Sequence, residues 1–84
     1  MNSEAHEYRV LIMNMRKIGR EIDYILNYIN RYQRYILNGL VVNDNKSFDR
    51  DLDSLKERLT YKRNKIFDYI IPSLEAEMQA IMAG

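Results

Sequence analysis

Apolar residues in the first half of the chain recur at Tyr8, Leu11, Met15, Ile18, Ile22, Ile25, Ile29, Tyr32 and Ile36. The steps alternate three and four without a break, the spacing by which one helix lays a narrow seam against another. Across from this seam lie Arg9, Arg16, Arg20, Asp23, Asn27, Asn30 and Arg34, a polar face. The pattern predicts a helix over residues 4–38, roughly 50 Å long at the helical rise per residue. Ser3 is the expected N-cap, and Glu4 and Glu7 sit where the positive end of the helix dipole favours them. Gly19 lies inside this helix at a cost of about 1 kcal/mol relative to Ala. It flanks the seam, where close approach of a second helix is one use for it.

Asn38-Gly39 is the expected stop. A glycine in the left-handed conformation followed by an apolar residue, here Leu40, suits a Schellman end. The run Tyr35-Ile36-Leu37-Asn38-Gly39-Leu40-Val41-Val42 is also a β-hairpin signal, with apolar residues on both sides of Asn-Gly. Strands of only about three residues are marginal in water, and the helical period is unbroken up to Ile36, so the helix end is preferred.

Residues 39–47 then connect to a second helix over residues 48–83. Ser47 is placed to cap it, and Asp49 and Asp51 load its first turns with negative charge. Phe48, Leu52, Leu55 and Leu59 continue the seam spacing. Lys62 stands where the next apolar residue is due, and Ile66, Ile70, Leu74, Met78 and Ile81 then drift to a longer step. Pro72 removes one helical hydrogen bond and crowds the carbonyl of Asp68, which predicts a kink or break there. Folding the arms together pairs Ile29 with Leu59, Ile22 with Ile66, Ile18 with Ile70, Met15 with Leu74 and Leu11 with Met78. The expected fold is all-α: one antiparallel helical hairpin, coiled-coil-like, kinked or broken at Pro72.

Composition sharpens this picture. The chain has 84 residues, one Pro and no Cys, so it is a single small domain without disulfides, thiolate metal sites or cysteine nucleophiles. So short a hairpin buries a modest core, and dimerisation into a four-helix bundle is the expected remedy. Ile12, Leu26, Tyr28 and Tyr35 flank the seam, while Val10 and Met13 extend the apolar surface near the open end. These six residues are the candidate partner-binding set, because a monomer of this design leaves them exposed. Met13 and Met15 on one arm face Met78 and Met82 on the other, a methionine cluster suited to irregular partners or to filling the last layer.

Net charge is +1, which exerts no global pull toward nucleic acid. Between Arg9 and Asn38, however, six basic residues stand against two acidic ones. Arg16, Arg20, Arg31 and Arg34, with Lys62, Arg63 and Lys65 on the second arm, are interleaved with tyrosines. Such a face neutralises phosphates and stacks on unpaired bases, so an RNA- or DNA-binding hairpin dimer is the alternative function. The balanced net charge favours an ordinary solvated face. Lys62 itself is read either as a lysine snorkelling over Ile25 or as a polar seam residue that fixes register.

Catalytic chemistry finds no footing. His6 is the single histidine, with no second group placed to orient it. Asp49-x-Asp51-x-Asp53 opens like a calcium loop, but Ser54 stands where the glycine is needed and Thr60 where the final Glu is needed. No enzyme activity, cofactor or metal is therefore expected. No apolar run approaches the roughly 20 residues of a membrane span, and residues 1–7 lack a basic segment followed by an apolar block. With no cysteine, the cytoplasm is the expected location. The expected function is a small, non-enzymatic protein–protein interaction protein, an adaptor, chaperone or inhibitor that presents a helical face.

Overall fold

After Leu37 the chain leaves the helix through a glycine held in the left-handed conformation. Gly39 has φ 75°; its N–H donates to Ile36 O at 3.1 Å, and Leu40 N–H donates to Tyr35 O at 2.9 Å. These paired bonds are the Schellman closure that Asn38-Gly39-Leu40 implies, and Tyr35, Ile36 and Leu37 are helical. The computed structural model describes residues 3–40 and 46–84. Helix α1 spans Ser3–Leu37, α2 spans Lys46–Lys65, a π-helical segment spans Ile66–Ile70, and α3 spans Ile71–Ala83. No strand occurs among the described residues. Most of the expected connection, residues 41–45, lies outside them. Helix α2 begins one residue ahead of Ser47, which therefore stands within its first turn; Asp49, Asp51 and Asp53 follow within the next turns.

The two arms pack antiparallel over extents of 60 × 17 × 13 Å. Tyr8 meets Glu77, Arg16 meets Glu75, Asp23 meets Arg63, and Gln33 meets both Asp53 and Lys56. The arms are thus paired within a turn or so of the alignment that the apolar spacing predicts. Ile12, Ile22, Ile66 and Ile71 form the buried centre, with Met15, Leu26, Leu59, Phe67, Ile70, Leu74 and Met78 packed against it.

The seam does not follow all of the expected residues. One line of α1 is as predicted, since Tyr8, Met15, Ile22, Ile29 and Ile36 all turn inward. The second inward line is Ala5, Ile12, Gly19, Leu26 and Gln33, each one residue beyond Leu11, Ile18, Ile25 and Tyr32 where these have counterparts. Ile12 and Leu26, expected beside the seam, therefore lie in it. The second arm shifts in the same sense, with Lys56 and Arg63 replacing Leu55 and Lys62. Lys62 is exposed and is not the polar seam residue; Arg63 is.

Gly19 supplies a physical reason. A Cβ built on it would fall closer than 3.0 Å to Cε2 and Cζ of Phe67, so a side chain here would force the ring to shift from this place. The three polar residues drawn into the seam, Gln33, Lys56 and Arg63, are all hydrogen-bonded. Lys56 donates to Gln33 Oε1 at 2.8 Å, and Gln33 Nε2 donates to Asp53 Oδ1 at 3.0 Å. Arg63 Nε donates to Asp23 Oδ1 at 2.8 Å while its guanidinium lies 4.7 Å from the centroid of the Phe67 ring. Pairing removes most of the penalty that partial burial imposes on such groups.

Pro72 neither breaks the second arm nor ends it. In an α-helix its ring would press on the carbonyl of Asp68. Here Ile71 N–H bonds to Ile66 O, five residues back, and the widened turn leaves Pro72 at the start of α3, where its missing N–H is tolerated. A π-turn inserts one extra residue. The inward residues Leu52, Lys56, Leu59, Arg63 and Ile66 accordingly resume at Ile71, Leu74, Met78 and Ile81, one residue later than a heptad repeat requires. The drift seen in the sequence is this single insertion.

Gly19→Ala should destabilise the hairpin although it improves helix propensity. Overpacking against a ring costs about 1–3 kcal/mol and the propensity gain is about 1 kcal/mol, so the expected net loss is up to about 2 kcal/mol in urea unfolding. Phe67→Leu in the same chain should recover part of that loss; a Gly19→Ala variant more stable than the parent would contradict the close approach.

Candidate functional site

The displaced seam gives the hairpin two unlike sides. On one side the arms are joined by polar contacts. Arg16 pairs with Glu75 at 3.0 Å and Arg63 with Asp23 at 2.8 Å, and Arg9 donates weakly to Met82 Sδ at 3.8 Å. A cleft of about 410 Å³ opens here between Arg9, Met13, Arg16, Arg20 and Glu75, floored by Ile12 and Met78. These pairs are about half exposed, so each contributes at most about 1 kcal/mol and mainly orients the arms.

The opposite side is apolar. Leu11, Ile18 and Ile25 are 41%, 41% and 44% exposed, against 4% for Ile12. On the second arm Phe48 and Leu55, each 39% exposed, continue the stripe. Contacts at both ends show that the two arms contribute to one surface. Near the turn, the rings of Tyr32 and Phe48 meet edge to face with centroids 6.3 Å apart. At the open end, Glu4, Glu7, Tyr8 and Leu11 of α1 share a cleft with Leu74 and Glu77 of α3. Tyr28 and Tyr35 widen the stripe beside α1, and both are exposed. No side chain among the described residues is fully buried, so the hairpin's own core is thin.

The candidate partner-binding residues divide accordingly. Ile12 is buried and Leu26 packs against the core; Tyr28 and Tyr35 border the apolar side; Met13 opens onto the polar cleft, and Val10 is exposed on the outer surface of α1. The methionine cluster also separates, with Met15 and Met78 in the seam and Met13 and Met82 exposed. Spacing alone places Leu11, Ile18, Ile25, Phe48 and Leu55 in the seam; in the structure they are the exposed stripe. The signal for this was present: Gly19 and Gln33 are odd occupants of a solvent face, and the second arm is out of phase with itself by one residue after Ile66.

The candidate nucleic-acid residues are not gathered on one surface. Arg16 and Arg63 are engaged by carboxylates. Arg31 and Arg34 lie near the turn beside Tyr35, Asn38 and Leu40. Lys62, seven residues after Leu55, falls on the same exposed line as Phe48 and Leu55, and Lys65 is exposed as well. Among the described residues no three His, Cys, Asp or Glu side chains gather as a metal site would require, and no helix is long and apolar enough to cross a membrane. The fold and this surface define the molecule as a two-sided helical hairpin with one apolar side uncovered. Comparison with models of protein families, with curated proteins and with solved structures finds no match.

One ionisation reports on the open end. Tyr8 Oη donates to Glu77 Oε2 at 2.8 Å, and this bond, with smaller effects of burial and of the Glu77 and Glu4 charges, raises the phenol above its ordinary value of 10.0. Because the folded value is the higher one, the bond's contribution is complete below pH 10 and is lost as pH rises through the folded value. Glu77→Gln should move this ionisation back down, measured as the difference between the absorbance titrations of a chain and its Tyr8→Phe counterpart. An unmoved titration would show that the Tyr8–Glu77 bond is not made.

Proposed function

We propose that this chain is a small non-enzymatic interaction protein of the cytoplasm, an adaptor, chaperone or inhibitor, that acts by presenting the apolar side of its hairpin to helices of a partner. The observation that carries this reading is that, of the two neighbouring lines of α1 that could complete the seam beside Tyr8, Met15, Ile22, Ile29 and Ile36, the more apolar one points outward. Leu11, Ile18 and Ile25 with Phe48 and Leu55 are outward, while a line containing Gly19, Gln33, Lys56 and Arg63 is inward. Helix α1 carries three apolar lines out of seven positions, the width that suits a multi-helix bundle rather than a two-helix seam. A four-helix bundle, in which the partner contributes the missing layer, covers all three.

The nucleic-acid reading has less support. Its seven basic residues are spread round the hairpin and two of them are paired with Asp23 and Glu75. Binding of that kind would weaken steeply with added salt.

The test is a double substitution, Ile18→Lys with Ile25→Lys. Both positions lie outside the hairpin's own seam, so circular dichroism should show helix content unchanged. Association of the chain with protein, whether copies of itself or others retained on an affinity column, should fall at least about tenfold, or about 1.4 kcal/mol. Association that survives this pair and is lost instead with Arg16→Glu and Arg20→Glu would move the functional surface to the polar side.

A further inference from the structure

We propose that the apolar side is covered by a second copy of this chain, laid face to face with its turn over the open end of the first. This rests on reading that side as the contact surface, and it names the occupant and its orientation.

Area supports an occupant of this size. The chain exposes 6685 Å², whereas a folded monomer of 10.1 kDa is expected to expose about 5,300 Å². The excess of about 1,400 Å² exceeds the roughly 800 Å² that each partner contributes to a standard stable interface. Shape supports a second hairpin. The stripe is built on both arms, from Leu11 to Tyr32 on one and from Phe48 to Leu55 on the other, where Lys62 follows it, so a single partner helix laid on α1 would leave Phe48 and Leu55 wet. A second copy supplies two arms of the right length.

Charge selects the orientation. At the open end the apolar side carries Glu4, Glu7 and Glu77 around Tyr8 and Leu11. Two copies with their turns at the same end would bring both sets of carboxylates together, an unfavourable crowding of like charge. Reversing one copy separates them and moves Glu77 toward Arg58 of the other copy, which borders the stripe on α2. The heptad register then matches itself: Ile18 lies against Ile25 of the second copy, and Leu11 against its Tyr32. This arrangement is isologous and closed, so assembly stops at two.

Sedimentation equilibrium of the full chain should give twice the 10.1 kDa chain mass across micromolar concentrations, and the Ile18→Lys, Ile25→Lys variant should give the chain mass itself. The chain has no cysteine, so single-cysteine variants report contacts cleanly. Mixed Ile18→Cys and Ile25→Cys chains should form a mixed disulfide in high yield. A mixed disulfide between Leu11→Cys and Glu77→Cys chains in its place would indicate turns at the same end and overturn the orientation. A wild-type monomer at all concentrations overturns the second copy; if the lysine pair still releases an outside protein, the interaction reading survives that result. A dimer indifferent to the lysine pair, giving neither disulfide, overturns both.

Discussion

The approach of Phe67 onto Gly19 is the contact on which the arrangement of this hairpin depends. An aromatic ring in a two-helix seam needs a hole, and α1 offers one where a side chain is missing. With the ring seated there, Ile12 and Leu26 are carried inward with Gly19, because residues seven apart share one face of a helix. The neighbouring line of Leu11, Ile18 and Ile25 is carried outward by the same rotation. One close approach in the middle of the molecule thereby decides which of two apolar lines becomes core and which becomes surface.

The second arm is adjusted to that choice. Phe67 is the second residue of the π-helical segment, and the extra residue of that segment re-aims everything after it. Without the insertion the inward positions of α3 would fall on Ser73, Glu77 and Ala80; with it they fall on Leu74, Met78 and Ile81. Pro72, which in sequence looks like an interruption, sits immediately after a turn that no longer needs its N–H. Polar contacts on the far side then hold the arms in register. They contribute little to stability, since Arg16, Glu75, Arg63 and Asp23 remain in contact with water. Most of the stabilisation comes from burial around Ile12, Ile22, Ile66 and Ile71, and that cluster is small for a chain of this length.

Much of this architecture is legible in the sequence. The three-four periodicity of α1, the Schellman closure at Asn38-Gly39-Leu40 and the antiparallel pairing all follow from spacing and local chemistry. What spacing does not distinguish is which of two adjacent apolar lines faces the partner arm. Either line completes a seam with Tyr8, Met15, Ile22, Ile29 and Ile36, and the more apolar alternative, with Ile18 and Ile25, is the natural choice when only two helices are considered. The structure prefers the line containing Gly19 and Gln33, because a hole and two satisfied polar pairs there are compatible with a thin seam. The stronger line is left for a second layer. For the same reason the polar seam residue of the second arm is Arg63, one residue beyond Lys62, and in the sequence the π-turn shows only as a lengthened step between apolar residues.

The seam of this hairpin passes through Gly19 and not through Ile18. The most direct measurement is the proton NMR spectrum of the intact chain. Gly19 α protons seated against the Phe67 ring should be shifted upfield by its ring current and should show cross-relaxation to the ring protons, while Ile18 methyls show none to Ile70 of the same chain. Unshifted Gly19 α protons, together with Ile18-to-Ile70 contacts that persist on dilution, would put the other line in the core and contradict the account.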